Sequence, residues 1–202
     1  MTDLDDKQVN RRSEILHEAA KIIASKGYAS ATVRDIADAS GILSGSLYHH
    51  FDSKDQMLVE ILQSMLSDIT ESYRRIADEN RDPRETVQEL IVTGFQALDK
   101  WQVEIRILQN DFPYLSEMKK FDFIGAAHSE IESIWTSQLR RGVSDGTFQK
   151  NMNVGLAYRI IMGSILSAGR WFVRGRTQTS LEIGRAHAAL FLDGLLNSKK
   201  KN

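Results

Sequence analysis

The chain has 202 residues, with 26 Lys and Arg against 27 Asp and Glu and a formal net charge of −1. That length accommodates a small head plus a larger body, while the charge balance excludes attraction to nucleic acid by bulk positive charge, so any such binding rests on where the cations point. The absence of cysteine excludes disulfide and thiolate chemistry and fits a reducing cytoplasm; with no apolar run of the roughly 18 residues a membrane span needs, and an acidic N-terminus unlike a secretion signal, a soluble cytoplasmic protein is expected.

Only two prolines occur, Pro83 and Pro113, and glycine is sparse, so the chain reads as all-α. A first helix is expected from Asn10 or Arg11 to Lys26, with Ile15, Leu16, Ala19, Ala20, Ile22 and Ile23 along its inner face and Gly27 after it. Thr32 offers a side-chain oxygen to the free N–H groups that follow, and Asp35 three positions on suits a positive helix end. The second helix therefore starts at Val33, turns Val33, Ile36 and Ala37 inward and Arg34, Asp35 and Asp38 outward, and ends at Gly41. Ser44 to His50 forms a short third helix anchored by Leu47, with Phe51 behind it; the rest is hydroxyls, a glycine, Tyr48 and two histidines. A helix this short is not stable alone, so its neighbours hold it.

From Lys54 a long helix runs to about Asn80 through Leu58, Ile61, Leu62, Met65, Leu66 and Ile69. Pro83 opens the next, Pro83 to Lys100, and a short one from Val103 to about Asn110 stops before Pro113. Another spans roughly Ser116 to Gly142, followed by a loop from Ser144 to Asn151. Val154 to Val173 carries Gly163, Ser164, Ser167, Ala168 and Gly169, small residues that let a helix or a ligand come close. Leu181 to Leu196 includes AHAALFLDGLL, apolar around almost its whole circumference, and must be covered on more than one side. A two-fold dimer covers it economically; the central helix of a monomeric bundle is the alternative.

A helix, a glycine turn and a short polar-faced helix can present the second helix to a major groove, although structural hairpins share the spacing. Lys54 and Tyr48 are placed to meet a backbone phosphate together. The full string resembles the DNA-binding head of the TetR family of bacterial transcriptional regulators: TVRDIA at 32–37, Ala39 with Gly41, Gly45 to Leu47 with Tyr48, His50 and Phe51, then Ser53, Lys54 and Asp55. The resemblance implies a helix-turn-helix head at 1–53 and a helical-bundle body at 54–202 that binds ligand and dimerises through the last pair of helices. It also implies that Thr32, Tyr48 and Lys54 grip phosphate and that Ser44, Gly45 and His49 lie nearest the bases, with Arg34 and Ser46 completing the expected DNA-binding set. Leu43 departs from the pattern: members often carry Ser or Thr there to cap the recognition helix, so the cap must come from Ser44 or from the backbone alone. Two recognition helices about 34 to 36 Å apart call for a near-palindromic double-stranded operator.

The middle of the chain is rich in large side chains, and mostly apolar pockets between helices are common ligand sites. Trp101, Leu108, Gln109, Phe112, Trp135, Met162 and Leu166 form the expected ligand-binding set. GILSGSLYHHF, the Gln109-Asn110-Asp111 run, and Tyr158-Arg159 ahead of Arg170-Trp171 are similar to actinobacterial TetR regulators of steroid-ring catabolism. That similarity implies release from DNA by a bulky acyl-CoA thioester. Met162 and Leu166 stand where it leads one to expect an arginine and a tryptophan facing the ligand, so the same ligand is not implied. The expectation is a ligand-responsive repressor, dimeric on its operator and released by a hydrophobic acid or its CoA ester from lipid, steroid or aromatic breakdown. Alternatives are a similar head controlled by a protein partner, or a multidrug-type sensor. His128 and Glu132 sit four apart, but two ligands do not make a metal site. With no nucleophile elbow, phosphate loop or dinucleotide fingerprint, neither catalysis nor a cofactor is expected.

Overall fold

The computed structural model describes residues 3–172 and 178–195, with side chains described within 11–172 and 178–193. The described residues form nine α-helices: α1 (Asp3–Lys26), α2 (Val33–Ala39), α3 (Ser44–Leu47), α4 (Lys54–Asp78), α5 (Pro83–Lys100), α6 (Gln102–Leu115), α7 (Asp122–Ser144), α8 (Val154–Ala168) and α9 (Ser180–Leu195). A 3₁₀ turn, Lys119–Phe121, precedes α7. The all-α class read from the sequence is the class observed. The chain divides into two compact units, Met1–Leu66 with Val103–Gly125, and Ser67–Gln102 with Ala126–Asn202.

In the first unit, α1 buries Ile15, Ala19 and Ile23, one face of a 3.6-residue period, and α2 buries Ile36 and Ala37. α1 packs on α2 and α2 on α3. Leu47 and Phe51 are fully buried, and Met57, Leu58, Ile61 and Leu62 of α4 complete the apolar side. Arg12 of α1 lies 4.3 Å over the Phe51 ring and makes a two-pronged hydrogen bond to Glu60 of α4. In the second unit, α5 packs on α8 and on α9. Asp82 caps α5 ahead of Pro83, Asn153 caps α8, and Thr179 with Glu182 forms a reciprocal capping box at the start of α9.

Several boundaries differ from the sequence reading. α1 begins at Asp3 rather than near Arg11. α3 ends at Leu47 because the following turn tightens: His49 and His50 donate to the carbonyls three residues back, Ser46 and Leu47. α6 continues through Pro113, which lies in its last turn, where a missing N–H forfeits a single bond. Residues 116–121 form a turn and the 3₁₀ segment, with Phe121 fully buried, so α7 starts at Asp122 instead of Ser116. α8 stops at Ala168. Val173 and Leu196, where the sequence placed the ends of the last two helices, lie outside the described residues.

Candidate nucleic-acid interface

α2 is fixed at both ends by bonds that span only a few residues. The Asp35 amide donates to the Thr32 hydroxyl at 3.1 Å, and the Thr32 amide donates to the Asp35 carboxylate at 2.9 Å. Lys26 donates to the other carboxylate oxygen at 2.6 Å. Lys26 first, and the Thr32 bonds with it, hold the Asp35 carboxyl well below the usual carboxylate range. At the far end the Ile42 amide reaches the Ala37 carbonyl at 3.0 Å and the Gly41 amide the Asp38 carbonyl at 3.2 Å. Gly41 sits at φ +66°, the left-handed geometry such a helix stop requires.

That stop aims the chain into α3. Leu43 is the N-cap residue; its carbonyl accepts from Ser46 at 2.9 Å and Leu47 at 3.3 Å, but no side chain caps the helix. The backbone alone therefore starts it. Leu47 is inside, whereas Gly45, Tyr48 and His49 are exposed and Ser44, Ser46 and His50 are half-buried. Thr32 and Arg34 are exposed on α2, with Arg34 only 4.0 Å from Asp38 in a loose surface pair. Six of the eight residues expected to meet DNA thus belong to α2, α3 or their caps, and His49 directly follows Tyr48, the C-cap of α3.

Lys54, the eighth, is engaged within the protein. Its ammonium donates to the Tyr28 carbonyl at 2.5 Å and the Ala31 carbonyl at 2.7 Å, and lies 4.4 Å from the Tyr28 ring centre. Burial lowers its pKa against the opposing charges of Asp55 and Asp111. It fastens the turn that leads into Thr32. Around it, the Tyr28 hydroxyl and the Lys120 ammonium both donate to Asp55, and the Tyr28 amide donates to Asp111 at 3.1 Å. Tyr28 meets Phe121 edge-on at 6.0 Å. Sequence reading did not find this cluster. Tyr28 and Asp111 are 83 residues apart, and no local pattern pairs them.

The residues expected to sense a ligand fall in both units. In the first, Leu108 is half-buried, and Gln109 and Phe112 are exposed. In the second, Trp135 is fully buried, Trp101 and Met162 are half-buried, and Leu166 is 39% exposed. The Trp101 indole N–H donates to Asp68 at 2.8 Å, which gives this tryptophan a structural partner. Trp135 stands edge-on to Tyr73 with ring centres 5.5 Å apart and lies 6.3 Å from Tyr158, while its indole N–H meets no protein acceptor. Burial raises the Tyr73 hydroxyl, and burial with the charge of Glu132 pushes Tyr158 up to about 12, so both phenols stay protonated donors. Tyr73 was not singled out from the sequence; an isolated tyrosine on a long helix gives no signal of its depth. Among the described residues no three His, Asp or Glu side chains cluster as metal ligands, and no helix is long and apolar enough to cross a membrane.

A capped helix, a left-handed glycine stop and a short exposed helix define a helix-turn-helix DNA-binding protein. Residues 15–61 match the family model for bacterial regulatory proteins of the tetR family, and residues 80–195 match the tetracyclin repressor-like C-terminal domain; the chain belongs to the TetR family of transcriptional regulators. It is similar to the HTH-type transcriptional repressor KstR2 of Rhodococcus jostii, 38% identical over 92% of this chain and 91% of that one. It is also similar to KstR2 of Mycolicibacterium smegmatis, 36% identical over 98% and 96%. The solved structure of the ketosteroid transcriptional regulator KstR2 of Mycobacterium tuberculosis superposes with a TM-score of 0.89 at 34% identity, covering 93% of this chain and 96% of that one.

Proposed function

We propose that this regulator is a repressor that binds a near-palindromic operator as a dimer and leaves it when a hydrophobic acid or its CoA ester enters the body. The observation that carries the DNA half is the exposed surface of α2 and α3, held from behind by Leu47 and Phe51. In this reading Thr32, Arg34 and Tyr48 meet phosphate, and Ser44, Gly45, Ser46 and His49 face base edges. Lys54 contributes by holding the Tyr28 and Ala31 carbonyls, and with them the entry to α2.

The ligand half is supported by Trp135, whose buried indole N–H has no protein acceptor and whose ring adjoins two phenol donors. A carboxyl or thioester oxygen on an apolar body is the kind of acceptor these donors suit. The similarity to KstR2, one of whose structures is described as a ketosteroid regulator, favours a catabolic intermediate with a ring system. Met162 and Leu166 are the apolar α8 members of the expected set, and in this reading they favour a ligand without an anionic group beside them. The relatives are transcriptional regulators, and we read this chain as a regulator rather than a catalyst.

Release follows from a population shift: ligand must bind a form with wrongly spaced heads more tightly than the DNA-bound form, because equal affinity for both moves nothing. α4, one unbroken helix from Lys54 to Asp78, is the proposed lever. The experiment is selection of genomic fragments by the purified protein at moderate salt. An enriched inverted repeat supports the regulator, and the genes beside it name the compounds to test; absence of any enriched sequence from protein freed of bound small molecules would overturn it. Tyr48→Phe is expected to weaken operator binding several-fold with ligand binding unchanged.

A further inference from the structure

Leu43 is the most exposed of the large apolar side chains described, at 80%. It occupies the N-cap position of α3, where Ser, Thr, Asp or Asn stabilise a helix and leucine does not. Thr32, Asp82, Asn153 and Thr179 supply oxygens at the starts of α2, α5, α8 and α9, whereas α3, the shortest helix and the one least able to do without a cap, receives none from a side chain. Leu43 thus helps neither the core nor the cap. A lone exposed leucine is common on protein surfaces; this one directly precedes Ser44 and Gly45, and a Cβ placed on Gly45 would meet nothing within 4 Å. The surface is bare and can approach another molecule closely.

Recognition helices meet base edges with their first residues. In the major groove those edges present hydrogen-bond donors and acceptors and one apolar group, the C5-methyl of thymine. Leucine can read only that. We infer that Leu43 is a specificity-determining residue that packs on the methyl of a thymine in each operator half-site. The contact takes a leucine and a methyl out of water together, and its gain offsets the missing cap. This inference rests on the operator-binding reading given above and adds the base that the operator must contain.

The test uses the full-length protein and the operator recovered by genomic selection. Each thymine and its symmetry mate are replaced in turn by deoxyuridine, which removes the methyl and leaves the pairing edge intact. For the unaltered protein, one such pair is expected to weaken binding about fifteenfold, about fourfold per half-site for one methyl group's burial. Leu43→Ala is expected to bind the thymine and deoxyuridine operators within about twofold of each other, the residue of a fourfold contact once its larger partner is gone. Leu43→Ser restores a cap oxygen, so its melting temperature reports folding while the same loss of discrimination reports the contact. A penalty for deoxyuridine that is equal in the unaltered and Leu43→Ala proteins would overturn the inference, as would an operator in which no thymine methyl matters. Failure to select any operator would instead sink the reading of the chain as an operator-binding regulator.

Discussion

Asp55 shows at the scale of one residue how the head is held. Burial opposes its ionisation, but the Lys120 and Tyr28 hydrogen bonds together with the charges of Lys120 and Lys54 outweigh that and keep its carboxyl below the ordinary carboxylate value. An unfolded aspartate titrates near about 3.9. A lowered folded value means that the contribution is complete above the unfolded one and disappears as pH falls through the folded one. Asp55→Asn is therefore expected to lower stability at pH 7 by about 1 kcal/mol, a charged hydrogen bond discounted for a side chain nearly a third exposed. By pH 3 the gap from the unaltered protein should narrow, as urea unfolding at the two pH values would reveal; a gap unchanged by acid would mean that the carboxylate charge is not what matters. The contrast with Thr32 and Asp35 explains what was legible. Their capping box spans three residues and can be read from the chain, whereas Tyr28, Asp55, Asp111 and Lys120 come together only after four separate segments have folded.

At the scale of elements, helix identity followed from the periodicity of apolar residues and from caps, and one of the boundary errors came from a rule applied too strictly. Proline was read as a stop at 113, yet in a last turn it removes a single bond, and α6 absorbs it. The close approach of α9 to α5 was not foreseen, because Gly184, set between Ile183 and Arg185, gives no hint of what faces it. A Cβ on Gly184 would lie 3.0 Å from the Val92 Cα and 3.4 Å from the Phe95 Cβ, and backbone cannot step aside as a flexible side chain can. Gly184→Ala should thus destabilise the second unit by about 1 to 3 kcal/mol through overpacking. Gly125→Ala, on α7 with nothing within 4 Å of the added carbon, is the matched control and should be neutral or stabilising by up to about 1 kcal/mol. Equal effects in thermal or urea melts would show that helix propensity, and not crowding between α5 and α9, governs both.

For the whole molecule, the body keeps apolar side chains outside: Leu156 and Ile160 on α8 are 52% and 51% exposed, and Leu190 on α9 is 76% exposed while Ile183, Ala188 and Leu192 of the same helix are buried. A helix buried on one side and apolar on another suits the two-fold partner expected from the sequence. Leu190→Glu is expected to give a monomer by sedimentation at concentrations where the unaltered protein is dimeric, and to weaken binding to the two-half-site operator about a hundredfold as avidity is lost; a variant that stays dimeric puts the interface elsewhere. Ligand specificity was the least legible property, since Trp101, Trp135, Met162 and Leu166 have the composition of any core, and only their partners separate a structural tryptophan bonded to Asp68 from one whose N–H is unused. The brevity of α3 carries a different meaning for the history of such a protein. Its fold depends on Leu47 and Phe51, and the side chains around them are exposed or half-buried. Mutations at 43–46 and 49 can therefore accumulate with little harm to stability, and under the proposed reading duplicated copies can drift to new operators while one scaffold is inherited unchanged.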